Sequence, residues 1–273
     1  MNSEPLKFAQ KIVLEAGSIL RDALCRKVNC DYKNGDHRDL CTEYDLKIEN
    51  YLISNIQKQF PAHKFVSEER ENNDCLEGLV WIIDPIDGTT NFVSWQKCFS
   101  ISLALYKDSK PLFGLVYDVM QDDLYLGIAG QGAYLNGKKL KRLGKTELKE
   151  CILDASLNSI QIFYNKHNIK VFNLAKDIRG HRSCGAASLA ICKIALGELH
   201  IYISAKLRAW DFAAAGIILN EVGGYYNSIF DDCLDLTGKP TVFMACSSKD
   251  IYNEIIQSIS GENLLCFCSP PIK

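Results

Sequence analysis

The chain has 273 residues, 47% of them hydrophobic and 23% charged, with a formal net charge of -2. That balance supports a sizeable core and excludes a disordered chain or a polybasic nucleic-acid binder, so no nucleic-acid partner is expected. No apolar run reaches the roughly 18 residues needed to cross a bilayer. Met1-Asn2-Ser3-Glu4-Pro5 also lacks the basic-then-apolar order of an export signal, so a soluble cytoplasmic protein with no membrane contact is expected.

Leu6, Ala9, Val13, Ala16, Leu20 and Leu24 recur at three and four residues and predict an amphipathic helix. A second predicted helix covers 45–59, with Ile48, Leu52 and Ile56 on one face and Pro61 closing the segment. Thr42 and Asp45 have the spacing of a capping pair at its start. A short strand near 64–66 and an apolar strand over 79–83 come next. A predicted antiparallel meander follows with strands 99–106, 112–118, 123–128 and 132–135, and Asn136-Gly137 is a tight-hairpin signal. The glycines from Gly127 to Gly132 fit a hairpin better than a phosphate cradle.

The second half alternates. A strand at 151–156 precedes a predicted helix over 161–177. A small-residue helix over 185–196 is stopped by Gly197. A strand at 199–203 leads to a helix from Asp211 to Glu221, which ends at Gly223-Gly224. A strand at 241–246 and a helix at 249–259 complete the pattern. Helices and mixed sheets alternate in blocks, which predicts a layered α+β fold rather than a doubly wound parallel sheet. There is no internal repeat or low-complexity linker. Residues 1–273 are therefore expected to form one domain, with a first half of about 1–150 and a second αβ half of about 151–273.

Twelve cysteines are scattered without a Cys-x-x-Cys pair, Cys266-Phe-Cys268 being the tightest spacing. Reduced thiols used as small packing residues are expected rather than a zinc site. His37, His63, His167, His181 and His200 form no constellation and are expected to pack or face solvent. Lys138, Lys139, Lys141 and Arg142 beside the Asn-Gly turn read as a solvated face.

The chemistry concentrates at residues 79–92, Leu-Val-Trp-Ile-Ile-Asp-Pro-Ile-Asp-Gly-Thr-Thr-Asn-Phe. An apolar strand ends in two carboxylates, Asp84 and Asp87, which are costly there unless paired or metal-bound. A divalent cation takes such oxygen ligands. Gly88, Thr89 and Thr90 follow with backbone amides suited to a phosphate at a helix start. A metal beside a phosphate points to metal-assisted phosphoryl chemistry. Glu68-Glu69 after Phe65-Val66-Ser67, Asp211 after Trp210 and Asp45 each have an ordinary reading alone, as surface pair, helix-start acid and cap.

Together these features resemble the inositol monophosphatase family, within the magnesium-dependent, lithium-sensitive phosphatases. The resemblance rests on Trp81 to Phe92, on Glu68-Glu69, and on Trp210-Asp211 with Gly223-Gly224. Asp39-Leu-Cys-Thr42-Glu-Tyr-Asp45 and Gly130-Gln-Gly-Ala133 add to it. It implies an αβαβα sandwich of the inositol monophosphatase and fructose-1,6-bisphosphatase type, and a homodimer. It implies one Mg²⁺ on Glu68, Asp84 and the Ile86 carbonyl, a second on Asp84, Asp87 and Asp211, and a possible third near Glu68. Thr89 and Asp45 would orient and deprotonate the attacking water, and Glu69 would help position it. Asp87, Gly88, Thr89, Thr90, Gly185, Ala186 and Ala187 would meet the phosphate or substrate.

The same resemblance implies a small phosphorylated polyol or sugar as substrate, inositol 1-phosphate first. Ser204 stands where relatives commonly have a hydroxyl-binding carboxylate, and Lys206 or Arg208 is a candidate for a second anionic group. Both cations read otherwise as solvent-facing charges. Fructose 1,6-bisphosphate, 3′-phosphoadenosine 5′-phosphate and NADP are the alternative substrates. A non-enzymatic regulator is the alternative of another class, since fold alone does not fix function.

Overall fold

The computed structural model describes residues 3–25, 30–32, 35, 40–70, 76–230 and 233–260. His37, Asp39, Cys266 and Cys268 lie outside the described residues. The first two helices are α1 (Glu4–Ala23) and α2 (Glu43–Gln59), separated by a short antiparallel pair, β1 (Cys30–Tyr32) and β2 (Leu40–Thr42). The seven-stranded sheet runs in chain order: β3 (Lys64–Ser67), β4 (Leu79–Asp87), β5 (Ser100–Lys107), β6 (Lys110–Asp118), β7 (Asp123–Ile128), β8 (Gly132–Leu135) and β9 (Lys138–Lys139). Only β3 and β4 pair in parallel in this sheet. A short helix, α3 (Thr89–Ser94), leaves the end of β4.

The second sheet uses β10 (Ile152–Ala155), β11 (Gly180–Arg182), β12 (Ile201–Leu207), β13 (Tyr225–Ser228) and β14 (Thr241–Cys246). Their order is β11-β10-β12-β14-β13. The remaining helices are α4 (Leu157–His167), α5 (Ala187–Leu196), α6 (Ala209–Glu221) and α7 (Lys249–Ser260). Successive strand residues face opposite ways. Trp81 and Ile83 of β4 therefore pack with α1 and α2, while Val80 and Ile82 pack with α5 and α6. Phe243 and Ala245 of β14 reach α5 and α6 from the other side. Met244 and Cys246 join α4 and α7 beyond. The result is the expected αβαβα layering, with α5 and α6 between the two sheets.

Several boundaries differ from the sequence expectation. The helix predicted over 161–177 is two elements. Ser156 starts α4 early by accepting from the Ser159 amide at 3.1 Å. Asn168 ends it at φ 54°, a conformation asparagine tolerates, and a 3₁₀ segment follows over Val171–Lys176. Strand β12 runs past the predicted 203 to Leu207 through an irregularity between Ser204 and Leu207. Strands β1, β2, β11 and β13 are too short to carry a periodic signal. Asn136 and Gly137, at φ 50° and 77°, make the expected tight turn, pairing Leu135 with Lys138.

Helix α6 is apolar on nearly every face because both sides are covered. It lies so close to the large sheet that glycine is required beneath it. A Cβ on Gly114 would come within 2.7 Å of Ala214 Cα, and one on Gly127 within 2.8 Å of Ile218 Cα. Gly114→Ala is expected to cost about 1–3 kcal/mol through overpacking. It should also displace the helix whose first turn carries Asp211. Thermal denaturation checks this, and an unchanged melting temperature would contradict the close approach.

Candidate metal and phosphate site

Two aspartates three residues apart on a regular strand point to opposite faces. Here they do not, because the ladder slips between them: Asp84 pairs with Ser102 and Asp87 with Ser100. One extra residue on β4 makes a bulge that turns Asp87 back to the side of Asp84. Pro85 sits within it, where its missing N–H costs no ladder bond. Asp84 is 1% exposed and Asp87 6%. Asp211, in the first turn of α6, completes a group whose ligand oxygens all lie within 4.8 Å of one another.

The local contacts fix each acid. Asp84 Oδ1 accepts from the Ile86 amide at 2.9 Å. Asp211 Oδ2 accepts from the Arg208 amide at 2.8 Å. Asp87 Oδ1 accepts from the Ala187 amide at 3.0 Å, and its Oδ2 from the Ser188 amide at 2.7 Å and the Ser188 hydroxyl at 2.5 Å. Asp45 does cap α2, its Oδ2 accepting from the Thr42 amide and hydroxyl, both at 2.6 Å. Its other oxygen faces Thr89, whose hydroxyl lies 3.1 Å from both Asp45 Oδ1 and the Ile86 carbonyl. Capping and site contact are thus two roles of one carboxylate.

Gly88, at φ 94°, turns the chain into α3 and brings it against α5: a Cβ there would meet Ala186 Cβ at 3.1 Å and the Gly185 carbonyl at 3.3 Å. Thr89 is half-buried and Thr90 exposed. The first-turn amides of α3 have no partner within the helix.

Glu68 and Glu69 are half-buried beyond β3. Glu68 is not part of the three-aspartate group among the described residues, yet its charge acts on Asp45, Asp84, Asp87 and Asp211. Glu69 Oε2 accepts from the Cys41 thiol at 3.5 Å. Ser204 is buried on β12, its Oγ 3.4 Å from the Lys206 amide. Lys206 is exposed. Arg208 is not a free surface charge: it donates to the Gly238 carbonyl at 2.6 Å and lies over the Trp210 ring.

Burial pushes all four aspartates up. Asp84 lies well above the usual carboxylate range, from burial first and then from Glu68, Asp87, Asp211 and Asp45. Asp211 rises similarly, from burial and the charges of Asp87 and Glu68, partly relieved by Arg208. Asp87 and Asp45 are each pushed to about 6, burial outweighing the hydrogen bonds from Ser188 and Thr42. Oxygen donors crowded and desolvated in this way fit a divalent cation, whose charge would relieve them.

Some contributors had no role of their own in the sequence pattern, although Ser188 adjoins Gly185-Ala186-Ala187 and Asn91 lies within the 79–92 stretch. Ser100 and Ser188 are fully buried hydroxyls beside Asp87. Asn91 ties the carbonyls of Cys98 and Cys184, both at 2.8 Å. Tyr202 on β12 feels the charges of Asp211 and Asp87, its phenol pushed well up mainly by burial. Glu49 could have been flagged, being an acid beside Ile48 on the apolar face of α2. It is 1% exposed and holds the Glu68-Glu69 segment through Ser67 Oγ and the Glu69 amide, both at 2.8 Å, and Arg70 at 3.1 Å.

The histidines stay in packing roles among the described residues. His63 stacks on Phe60 and accepts from Trp81 Nε1, His167 lies against Phe230, and His181 and His200 bond backbone. Cys151, Cys192 and Cys246 are buried, but Cys25, Cys30 and Cys233 are exposed, so the small-core-residue expectation holds for only part of the free thiols.

A layered α+β sandwich with a buried aspartate cluster that could hold a metal, beside the first turn of α3, is a framework suited to a phosphatase. The inositol monophosphatase family profile matches residues 1–263. The inositol-1-monophosphatase of Bacillus subtilis (strain 168) is 37% identical over 242 residues, covering 87% of this chain and 88% of its own. SaIMPase-II, a staphylococcal enzyme, has been solved with 2′AMP and with inositol monophosphate. The first is 31% identical with a TM-score of 0.81 and covers 94% of each chain. The second is 30% identical with a TM-score of 0.80 and covers 94% of this chain and 93% of its own. The chain belongs to the inositol monophosphatase family. It is a phosphoric monoester hydrolase, and its aspartate cluster could hold a divalent metal. Among the described residues, no helix is long and apolar enough to cross a membrane.

The raised acids carry a pH signature. Asp84 titrates near 3.8 when unfolded and well above that when folded. Its favourable contribution is therefore full below about pH 4 and is lost as pH rises toward the folded value. A tenfold difference in proton affinity between the folded and unfolded chain is worth about 1.4 kcal/mol. Each kcal/mol moves the melting temperature of a chain near this size by about 2–4 °C. In chelator, the native protein should lose melting temperature relative to Asp84→Asn as pH rises above about 4, and Mg²⁺ should narrow the difference. Melting curves across that range check it, and a difference independent of pH would contradict it.

Proposed function

We propose that the protein is a Mg²⁺-dependent phosphomonoesterase that releases phosphate from inositol 1-phosphate or a closely similar polyol phosphate. The observation that carries the reading is the group formed by Asp84, Asp87 and Asp211, whose ligand oxygens lie within 4.8 Å of one another, with Asp87 immediately before the Gly88 turn. No ion pair joins these three to a described lysine or arginine. Asp84, Glu68 and the Ile86 carbonyl would hold one ion, and Asp84, Asp87 and Asp211 a second, with room for a third near Glu68. When bound, such ions lower the pKa of water and stabilise charge on the leaving oxygen.

The rest is supplied by the chain. The Thr89 hydroxyl, poised between Asp45 and the Ile86 carbonyl, accepts a hydrogen bond from the attacking water and passes a proton toward Asp45. With its carboxyl pushed to about 6, Asp45 can take that proton near neutral pH. Glu69 lies near enough for its charge to act on Asp45, and would steady the water from the other side. Amides of Gly88, Thr89 and Thr90 hold phosphate oxygens at the start of α3. The Gly185-Ala186-Ala187 turn and Ser204 border the alcohol.

A nucleoside monophosphate is the second reading. It is favoured by the relative that has been solved with 2′AMP as well as with inositol monophosphate. The homodimer implied by the family resemblance is part of the proposal, as is a cytoplasmic location.

Phosphate release from a panel of esters, with and without Mg²⁺, tests it. Mg²⁺-dependent turnover of inositol 1-phosphate is expected, and Asp87→Asn should reduce it by about 10²–10³-fold through lost charge at the reacting centre. Absence of Mg²⁺-dependent turnover of every inositol phosphate rejects the inositol assignment. Turnover confined to 2′AMP replaces it with the nucleotide reading.

A further inference from the structure

Asp87 is gripped from behind by hydroxyls. Ser188 Oγ lies 2.5 Å from Asp87 Oδ2, and Ser100 Oγ lies 2.7 Å from Ser188 Oγ but 3.5 Å from the carboxylate. A hydroxyl has one proton to give. Ser188 gives its proton to Asp87, so the remaining bond is donated by Ser100, and the order is Ser100 to Ser188 to Asp87. Both serines are 0% exposed. Ser100 opens β5, directly across the bulge from Asp87. Ser188 is the second residue of α5, in the helix layer over that sheet. No helical turn precedes Ser188, and its hydroxyl reaches a carboxylate 101 positions away.

We propose that Ser188, backed by Ser100, is a positioning residue: it sets the rotamer of Asp87 so that this carboxylate meets a divalent cation together with Asp84 and Asp211. The Ala187 and Ser188 amides would hold Asp87 whatever the side chain at 188. The hydroxyl adds a third contact from α5 and, through Ser100, links Asp87 to β5. Groups that orient a ligand in this way are typically worth 10–100-fold in metal affinity. The inference rests on the proposed place of Asp87 among the metal ligands.

Calorimetric titration of the full-length resting protein with Mg²⁺ alone tests it, with turnover against Mg²⁺ concentration as a second readout. Ser188→Ala should weaken Mg²⁺ binding by about tenfold. It should raise the Mg²⁺ concentration needed for half-maximal turnover, with a smaller loss of kcat at saturation. Ser100→Ala should move the same quantities in the same direction by a smaller factor. In an Asp87→Asn background, Ser188→Ala should add no further loss.

Wild-type Mg²⁺ affinity in Ser188→Ala, alongside a loss in Asp87→Asn, overturns the inference and leaves the ligand assignment standing. An equal loss in both backgrounds also overturns it, since the hydroxyl then acts through packing rather than through Asp87. Unchanged binding in Asp87→Asn removes Asp87 from the ion site and overturns both. Should Ser188→Ala not fold, unchanged binding in Ser100→Ala overturns the inference.

Discussion

Mutual repulsion among carboxylates held out of water is the constraint on which the rest of this structure depends. Asp84, Asp87 and Asp211 lie within reach of one ion, Glu68 adds its charge, and all three aspartates are driven above their ordinary range. A fold that only needed stability would not build this, because buried charges without a partner are strongly destabilising. Burial becomes favourable once a doubly charged ion is present, since binding that occurs only in the folded state adds to its stability. An ion bound there would link the site to the fold.

The layers make the arrangement possible. Strand β4 brings Asp84 and Asp87 to one side through its bulge. Three helices then meet the cluster at their N-terminal turns: Asp211 is the third residue of α6, Asp45 the third of α2, and the first two amides of α5 donate to Asp87. Each helix N-terminus carries a partial positive charge, so the backbone itself offsets part of the negative charge it gathers. Gly114 and Gly127 let α6 lie low on the sheet, and Gly88 and Gly185 let the turn into α3 approach the start of α5. The clustered carboxylates are thus set by helix and strand ends rather than by long loops, which favours a fixed geometry.

Much of this was legible in the sequence where a residue obeys a local rule. The apolar run into Asp84, the capping spacing of Thr42 and Asp45, and the Asn136-Gly137 turn each follow from chemistry acting over a few positions. The long strands and the amphipathic α1 follow from periodicity. What stayed hidden depends on contacts across the chain. Ser188 looks like one more small residue after Gly185-Ala186-Ala187 until the fold sets it against Asp87. Ser100 needs the register of β4 against β5. Arg208 reads in the sequence as a loop charge, and its partner, the Gly238 carbonyl, is 30 positions away. Asn168 broke a helix that the apolar spacing had joined, because tolerance of a left-handed backbone is a property of one residue and not of the pattern around it.

The most direct measurement is anomalous diffraction from crystals of the full-length protein soaked in Mn²⁺, a cation that takes the same carboxylate oxygens as Mg²⁺. The expected result is anomalous density within bonding distance of Asp84, Asp87 and Asp211 oxygens, lost in Asp84→Asn. Crystals that take up Mn²⁺ elsewhere, or not at all, while these three carboxylates stay in place would contradict the account.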